Sequence, residues 1–199
     1  GGNYLAMESF RYAVTKDREA RENARKAFHF LKLLQEVTGT DGFFARTIVP
    51  SNWTEVDDAN RQYTEEQLAD ELIKEPRFKP VAKRWHRSHD GKWLWKGDTS
   101  SDEMGGHMMG YFFYYEHAAD ETDRTEVRKQ VARIVDHLMK NEYNLVDVDN
   151  KPTRWGVWSP GLLNNDPEWM PDRHLNSMEL LSFVKLAAYV TGDPKYENA

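Results

Sequence analysis

Three stretches of this chain spread apolar side chains nearly all round a helix, and two others confine them to one stripe. Gly2 to Thr15 carries Tyr4, Leu5, Met7, Phe10, Tyr12, Ala13 and Val14, with only Glu8 and Arg11 charged. That spread predicts a helix enclosed on most sides. From Ser101 to Ala119, Met104, Met108, Tyr111, Tyr115 and Ala118 recur at helical spacing. Glu103, His107, Gly110, Tyr114 and His117 form a second face of the same helix. Leu175 to Val190 is the third enclosed stretch, with only Glu179 and Lys185 charged. By contrast, Asp17 to Val37 sets Ala20, Ala24, Ala27, Leu31 and Leu34 opposite Arg21, Glu22, Arg25, Lys32 and Glu36. Asp123 to Asn141 repeats that one-striped pattern with Val127, Val131, Ile134, Val135 and Leu138. Both read as amphipathic helices with one wet side.

The enclosed helices end in related phrases: Tyr12-Ala-Val-Thr-Lys-Asp17, Tyr115-Glu-His-Ala-Ala-Asp120 and Tyr189-Val-Thr-Gly-Asp193. Each is followed by a short turn that would start an amphipathic helix, so the chain reads as a repeat of helical hairpins. The short turns, at 15–17, 119–123 and 191–194, all sit where enclosed helices end. The long excursions, 38–99 and 142–174, therefore belong at the opposite end, where those helices begin. Pro50, Pro76, Pro80 and several Gly punctuate the first excursion, leaving one helical piece around Thr64 to Lys74. Excursions of this length in a compact domain are functional or disordered. The aromatic pieces Phe43-Phe44 and Trp93-Leu-Trp95 argue for order. Strand signals are weak, and the expectation is an all-α domain.

All seven Trp fall in the two excursions. One rim should therefore gather the tryptophans, the acid-rich Gly97-to-Glu103 segment, and the N-termini of the enclosed helices. Ser100 with Glu103 three residues on matches a capping box and marks the helix start near Ser101. Helix N-termini add positive potential at such a rim.

Composition narrows the field. At 199 residues the chain has room for one domain with a substantial core. A net charge of −6, with basic residues dispersed among acids, argues against nucleic acid as a partner. The absence of cysteine excludes disulfides, thiolate metal sites and cysteine nucleophiles. No apolar run approaches the ~18 residues of a membrane helix. The first residues lack the basic and apolar regions of a signal peptide, which leaves the compartment open.

The hairpin ends, with GDTSSDEMGGHMMGY at 97–111 and TRWGVWSPGLLNND at 153–166, resemble the six-hairpin glycosidase superfamily. Within it they are similar to a bacterial branch linked to polysaccharide use. The resemblance implies an (α/α)6 toroid of alternating inner and outer helices. This chain would supply about half of it as one domain, 1–199, incomplete at both ends. It also implies a substrate cleft where the inner helices start, an oligosaccharide or polysaccharide fragment as partner, and a periplasmic or secreted setting for the full-length protein. No catalytic pair is carried over from it.

Glycoside hydrolysis needs one carboxyl as proton donor and another as base or nucleophile, roughly 5–9.5 Å apart. Asp98, Asp102 and Glu103 are the nearest candidates, and Glu179, one turn inside its enclosed helix, is an alternative acid. Glu103 is read as the proton donor, deep beside His107 and a bare glycine surface; Asp98 is read as the ionised base or stabiliser. The competing reading makes all three N-terminal acids helix caps. His107, one turn beyond Glu103, is either its acid–base partner or a core histidine bonded to it. Gly105, Gly106 and Gly110 leave a helix face bare, either for substrate or for close helix packing. Trp93, Trp95, Trp155 and Trp158 offer flat faces for sugar rings, and Arg154 and His174 suit a uronate carboxylate. Asp98, Glu103 and His107 are expected to line one concavity with Trp95, Trp155 and Glu179. No metal or cofactor is assigned. The leading function is glycoside hydrolysis, with a polysaccharide lyase or sugar epimerase second. A non-catalytic glycan-binding or scaffold domain stands as the alternative from another class. Acids consumed by caps would favour binding; two free carboxyls across a cleft would favour hydrolysis.

Overall fold

Asp17, Asp120 and Asp193 each hold a backbone N–H at the start of a helical element, and this shared device sets the architecture. In the computed structural model, which describes residues 1–198, helix α1 (Gly2–Thr15) turns into α2 (Arg18–Glu36) at Asp17, whose carboxylate accepts from Glu19 N–H at 3.0 Å. Helix α4 (Ser101–His117) passes to α5 (Glu121–Lys140) at Asp120, which accepts from Asp123 N–H at 2.9 Å. Helix α7 (Arg173–Thr191) passes to a 3-10 turn (Pro194–Tyr196) at Asp193, which accepts from Lys195 N–H at 3.0 Å. The first and third junctions match bond for bond. Thr15 Oγ1 donates to Arg11 C=O and accepts from Asp17 N–H; Thr191 does the same with Ala187 and Asp193. The residue between, Lys16 or Gly192, lies in the left-handed region at φ 57° and 68°. Gly192 takes that conformation without steric cost.

α1, α4 and α7 run side by side in one parallel row. Gly2 of α1 meets Gly106 and Gly110 of α4, while Phe10 near the other end meets Phe113 and His117. Glu179 of α7 faces Gly105 of α4, and Tyr189, ten residues on, donates to Glu116. α2 and α5 lie behind this row, parallel to each other. Arg25 of α2 pairs with Asp123 at 3.3 Å and Lys32 with Glu126 at 2.7 Å, in step along both helices. One continuous core fills the space between the layers, with Phe28, Met104, Tyr111, Tyr114, Ile134 and Leu138 enclosed. Tyr114 donates to the buried Asp123 at 2.7 Å, so the outer helices are tied to the row by polar as well as apolar contacts.

The chain is mostly helical, but it is not all-α. The first excursion holds a three-stranded antiparallel sheet, β1 (Thr47–Pro50), β2 (Trp85–Arg87) and β3 (Trp93–Lys96), with β3 in the middle. It also carries α3 (Glu65–Lys74), capped by Thr64 through Gln67. The second excursion is a hairpin of β4 (Asn144–Val146) and β5 (Pro152–Val157), followed by α6 (Pro160–Asn165). These strands are three to six residues long, too short for a two-residue alternation to stand out from loop sequence. Both excursions meet at the start of α4, where Arg154 N–H of β5 donates to Asp98 at 2.9 Å.

α1 and α7 each leave an apolar face uncovered: Tyr4, Met7 and Val14 on the first, Leu175, Met178 and Leu181 on the second. No helix among the described residues is long and apolar enough to cross a membrane.

Candidate functional site

The loop into α4 is built from close approaches. A side chain at Gly97 would put its Cβ 2.8 Å from Asp147 Oδ2 and displace that carboxylate. Asp98 follows at φ 52°, donates its N–H to Asp147 Oδ2 at 2.7 Å, and accepts from Arg154 N–H. Its side chain is almost wholly buried. Asp98 is therefore a staple between the two excursions and not a base exposed at a cleft, which corrects the role read for it from sequence. An Asp in a left-handed turn that bonds backbone locally is a structural device.

Glu103 is also spoken for. Its Oε2 accepts from Ser100 N–H at 2.8 Å and Ser100 Oγ at 2.6 Å, the backward-reaching half of the capping box, and its Oε1 lies 3.4 Å from Arg46 Nε. Of the two readings of His107, the acid–base pair with the Glu103 carboxyl does not form, and the core histidine bonded to Glu103 does, through the backbone. His107 Nδ1 meets the Glu103 carbonyl at 2.8 Å, one turn back along the helix, and the ring packs 4.2 Å from Phe44. Burial pushes the His107 pKa down to about 4, with the Glu103 carbonyl bond opposing that shift. The ring is neutral near pH 7, and its buried Nε2 has no protein partner among the described residues. His107 is a core histidine.

Two carboxyls escape these structural bonds. Asp102 is exposed in the first turn of α4. Glu179, on the facing side of α7, accepts from the indole N–H of Trp158 at 2.9 Å. Burial raises the Glu179 pKa, the Trp158 hydrogen bond pulls it back, and the nearby Asp102 charge adds to the rise. The other Glu179 oxygen looks across bare Gly105, with 3.9 Å to where a Cβ would sit. Beyond it a groove of about 490 Å³ runs between α4 and α7, walled by Met109, Phe112, Phe183 and Tyr189. A groove of this size, apolar but for a few polar groups, has the proportions of a small-molecule site.

The glycines divide between the two readings. Gly2 and Gly110 allow α1 and α4 to touch: a Cβ on Gly2 would lie 1.7 Å from Gly106 C=O, and one on Gly110 would lie 2.8 Å from Gly2 C=O. At Gly105 a Cβ would meet only the Glu179 carboxyl, at 3.9 Å.

The predicted site residues do not line one concavity. Asp102, Glu103 and His107 border a recess with Arg46; Trp93 and Trp95 border a second hollow with His86; Glu179 borders the α4–α7 groove. Trp95 is buried under a stacked His86 ring, centroids 4.3 Å apart. Trp155 and Trp169 hold the Arg77 guanidinium at 4.7 and 4.9 Å, and Arg77 pairs with Asp172. Arg154 packs over Phe78 and Trp155, which leaves its guanidinium in a structural role, while His174 is exposed in the first turn of α7. Of the four tryptophans expected to bind sugar, Trp158 is fully enclosed and acts through its N–H on Glu179. That pairing spans 21 positions, and no local spacing announces it; the one hint is that Glu179 is an acid in an otherwise apolar helix.

Chemically, the α4–α7 groove offers one carboxyl, Glu179, whose pKa burial raises, and an apolar wall, while the exposed Asp102 borders the recess with Arg46. No family model, curated protein or solved structure matches the chain.

Proposed function

We propose that this chain is part of a carbohydrate-active enzyme of the glycoside hydrolase type, built on an (α/α) toroid, acting on an oligosaccharide or polysaccharide fragment in the α4–α7 groove. The observation that carries the reading is Glu179, desolvated, bonded to Trp158 N–H, and facing bare Gly105. In this reading Glu179 is the proton donor, because burial shifts its pKa in the direction that favours the protonated form. Asp102, in the exposed first turn of α4 and close enough for its charge to act on Glu179, is the second carboxyl; the N-terminal end of a helix favours negative charge. Together they would divide the labour of acid and base or nucleophile. The uncovered apolar faces of α1 and α7 support further inner helices packing beside them and completing the toroid.

The consumption of Asp98 and Glu103 by structural bonds favours the second reading, a non-catalytic glycan-binding or scaffold domain. A lyase or epimerase on the same toroid would use the same groove. Release of reducing ends from a panel of neutral and uronate-containing polysaccharides, by the intact protein, separates these readings. Hydrolysis supports the first; binding without turnover supports the second; products with an unsaturated uronate end indicate a lyase.

A further inference from the structure

A second hollow, of about 600 Å³, lies between the strand face of β3 and the C-terminal end of α2, away from Glu179. Its wall is the half-buried Trp93, and beside it His86 covers Trp95 as a cross-strand neighbour. Lys83, Arg87 and His89 stand around it, all exposed. The acids at this mouth already have cationic partners: Glu36 lies 3.6 Å from Lys32, and Asp90 lies 3.8 Å from Lys92. Among the described residues no carboxylate pairs with Lys83 or Arg87, and the Arg87 guanidinium meets only the Gly91 carbonyl. The mouth thus has one aromatic face and two cations, Lys83 and Arg87, with no carboxylate paired to either among the described residues.

We infer that this hollow is a binding site for a carboxylate-bearing saccharide, with a sugar ring stacked on Trp93 and the uronate carboxylate held by Lys83 and Arg87. One exposed aromatic face suits a sugar, which has one apolar face to cover. A planar base would gain from a second exposed ring, and His86 already occupies the face of Trp95. The charge selects acidic over neutral sugars, and the attraction weakens as salt is added. The site stands apart from the α4–α7 groove and does not depend on that groove being catalytic.

The test is a titration of the intact protein with a galacturonate trimer, reading the Trp93 indole N–H by NMR. The acidic trimer should shift that signal, its methyl ester should bind at least about tenfold more weakly, and added salt should narrow the difference. Lys83→Gln with Arg87→Gln, both on exposed side chains, should weaken the acidic trimer by a similar factor while leaving the circular dichroism unchanged. Glu179→Gln should leave the Trp93 shift in place, which separates failure here from failure at the groove. The inference is overturned if the trimer leaves Trp93 unmoved at millimolar concentration. Equal binding of acid and ester, or a stronger response to adenosine monophosphate, overturns it as well.

Discussion

Trp158 gives its only side-chain hydrogen-bond donor to Glu179, 2.9 Å away, from a position where the indole has no exposure to solvent. The bond fixes the carboxyl's orientation and moderates a pKa that burial has raised. Trp158→Phe keeps an aromatic ring against Phe183 but removes the donor. The Glu179 pKa should then move higher, and unfolding by urea should become easier by about 1–3 kcal/mol through the lost bond and the smaller ring. Carbon-13 titration of the Glu179 carboxyl reads the first effect; the urea midpoint reads the second.

Gly105 and Gly110 sit five residues apart on α4 and should respond in opposite directions. At Gly110 an added methyl meets the α1 backbone at 2.8 Å. Gly110→Ala should therefore destabilise by about 1–3 kcal/mol, as overpacking does. At Gly105 the nearest atom is Glu179 Oε1 at 3.9 Å. Gly105→Ala should stabilise the helix by up to about 1 kcal/mol while filling space beside Glu179 and impairing whatever binds there. Melting temperatures of the two variants, measured together, check the pair.

Asp98 combines a left-handed backbone with a carboxylate that accepts from Arg154 N–H. Asp98→Asn keeps an acceptor and tolerates the backbone, so it should cost little, within about 1 kcal/mol. Asp98→Ala loses the bond and adds left-handed strain, for a cost of about 2–4 kcal/mol. Chemical denaturation of the two variants distinguishes a staple from a catalytic base, for which both changes would be equally damaging to activity and neutral to stability.

The depressed His107 pKa carries a pH dependence with a definite sign. The folded ring takes a proton only near pH 4, whereas an unfolded histidine does so near its ordinary 6.5. Between those values the unfolded chain binds more protons, so stability falls as pH drops from about 6.5 to 4 and this contribution levels off below. The full effect is on the order of 3 kcal/mol. His107→Leu should remove that part of the slope. Urea midpoints at pH 7 and pH 4.5 measure it; parallel profiles for both proteins would contradict the assignment.

The helical layers were legible because each helix writes its environment into its period. α2 and α5 show one stripe because they face water on one side, and α4 shows apolar residues all round because α1 and α7 flank it, whereas α1 and α7 leave part of their apolar surface, Val14 and Leu175 among it, uncovered. The aspartate at each hairpin turn was equally readable, since capping chemistry is local in sequence. The strands were not, because β1 to β5 draw their pairing from partners up to 49 positions away, as Thr47 does with Lys96. The site failed to read through for the same reason. Glu103 and His107 share a helix face, but the carboxylate turns back to Ser100 and the ring turns to a carbonyl. Side-chain direction within one turn is decided by competing local donors, which spacing alone does not rank. Glu179 gains its environment from Trp158 and Asp102, two other elements altogether.

The central claim, that the α4–α7 groove is the reactive one, is tested most directly by comparing Glu179→Gln with Glu103→Gln on a substrate the intact protein turns over. Glu179→Gln should lower turnover by a factor on the order of 10²–10⁴, the usual worth of a general acid, with binding retained. Glu103→Gln keeps an oxygen for Ser100 and should leave turnover within about threefold of the parent, changing only the Arg46 contact and helix stability. Full turnover by Glu179→Gln, together with its loss in Glu103→Gln, would contradict the account and move the chemistry to the recess beside His107.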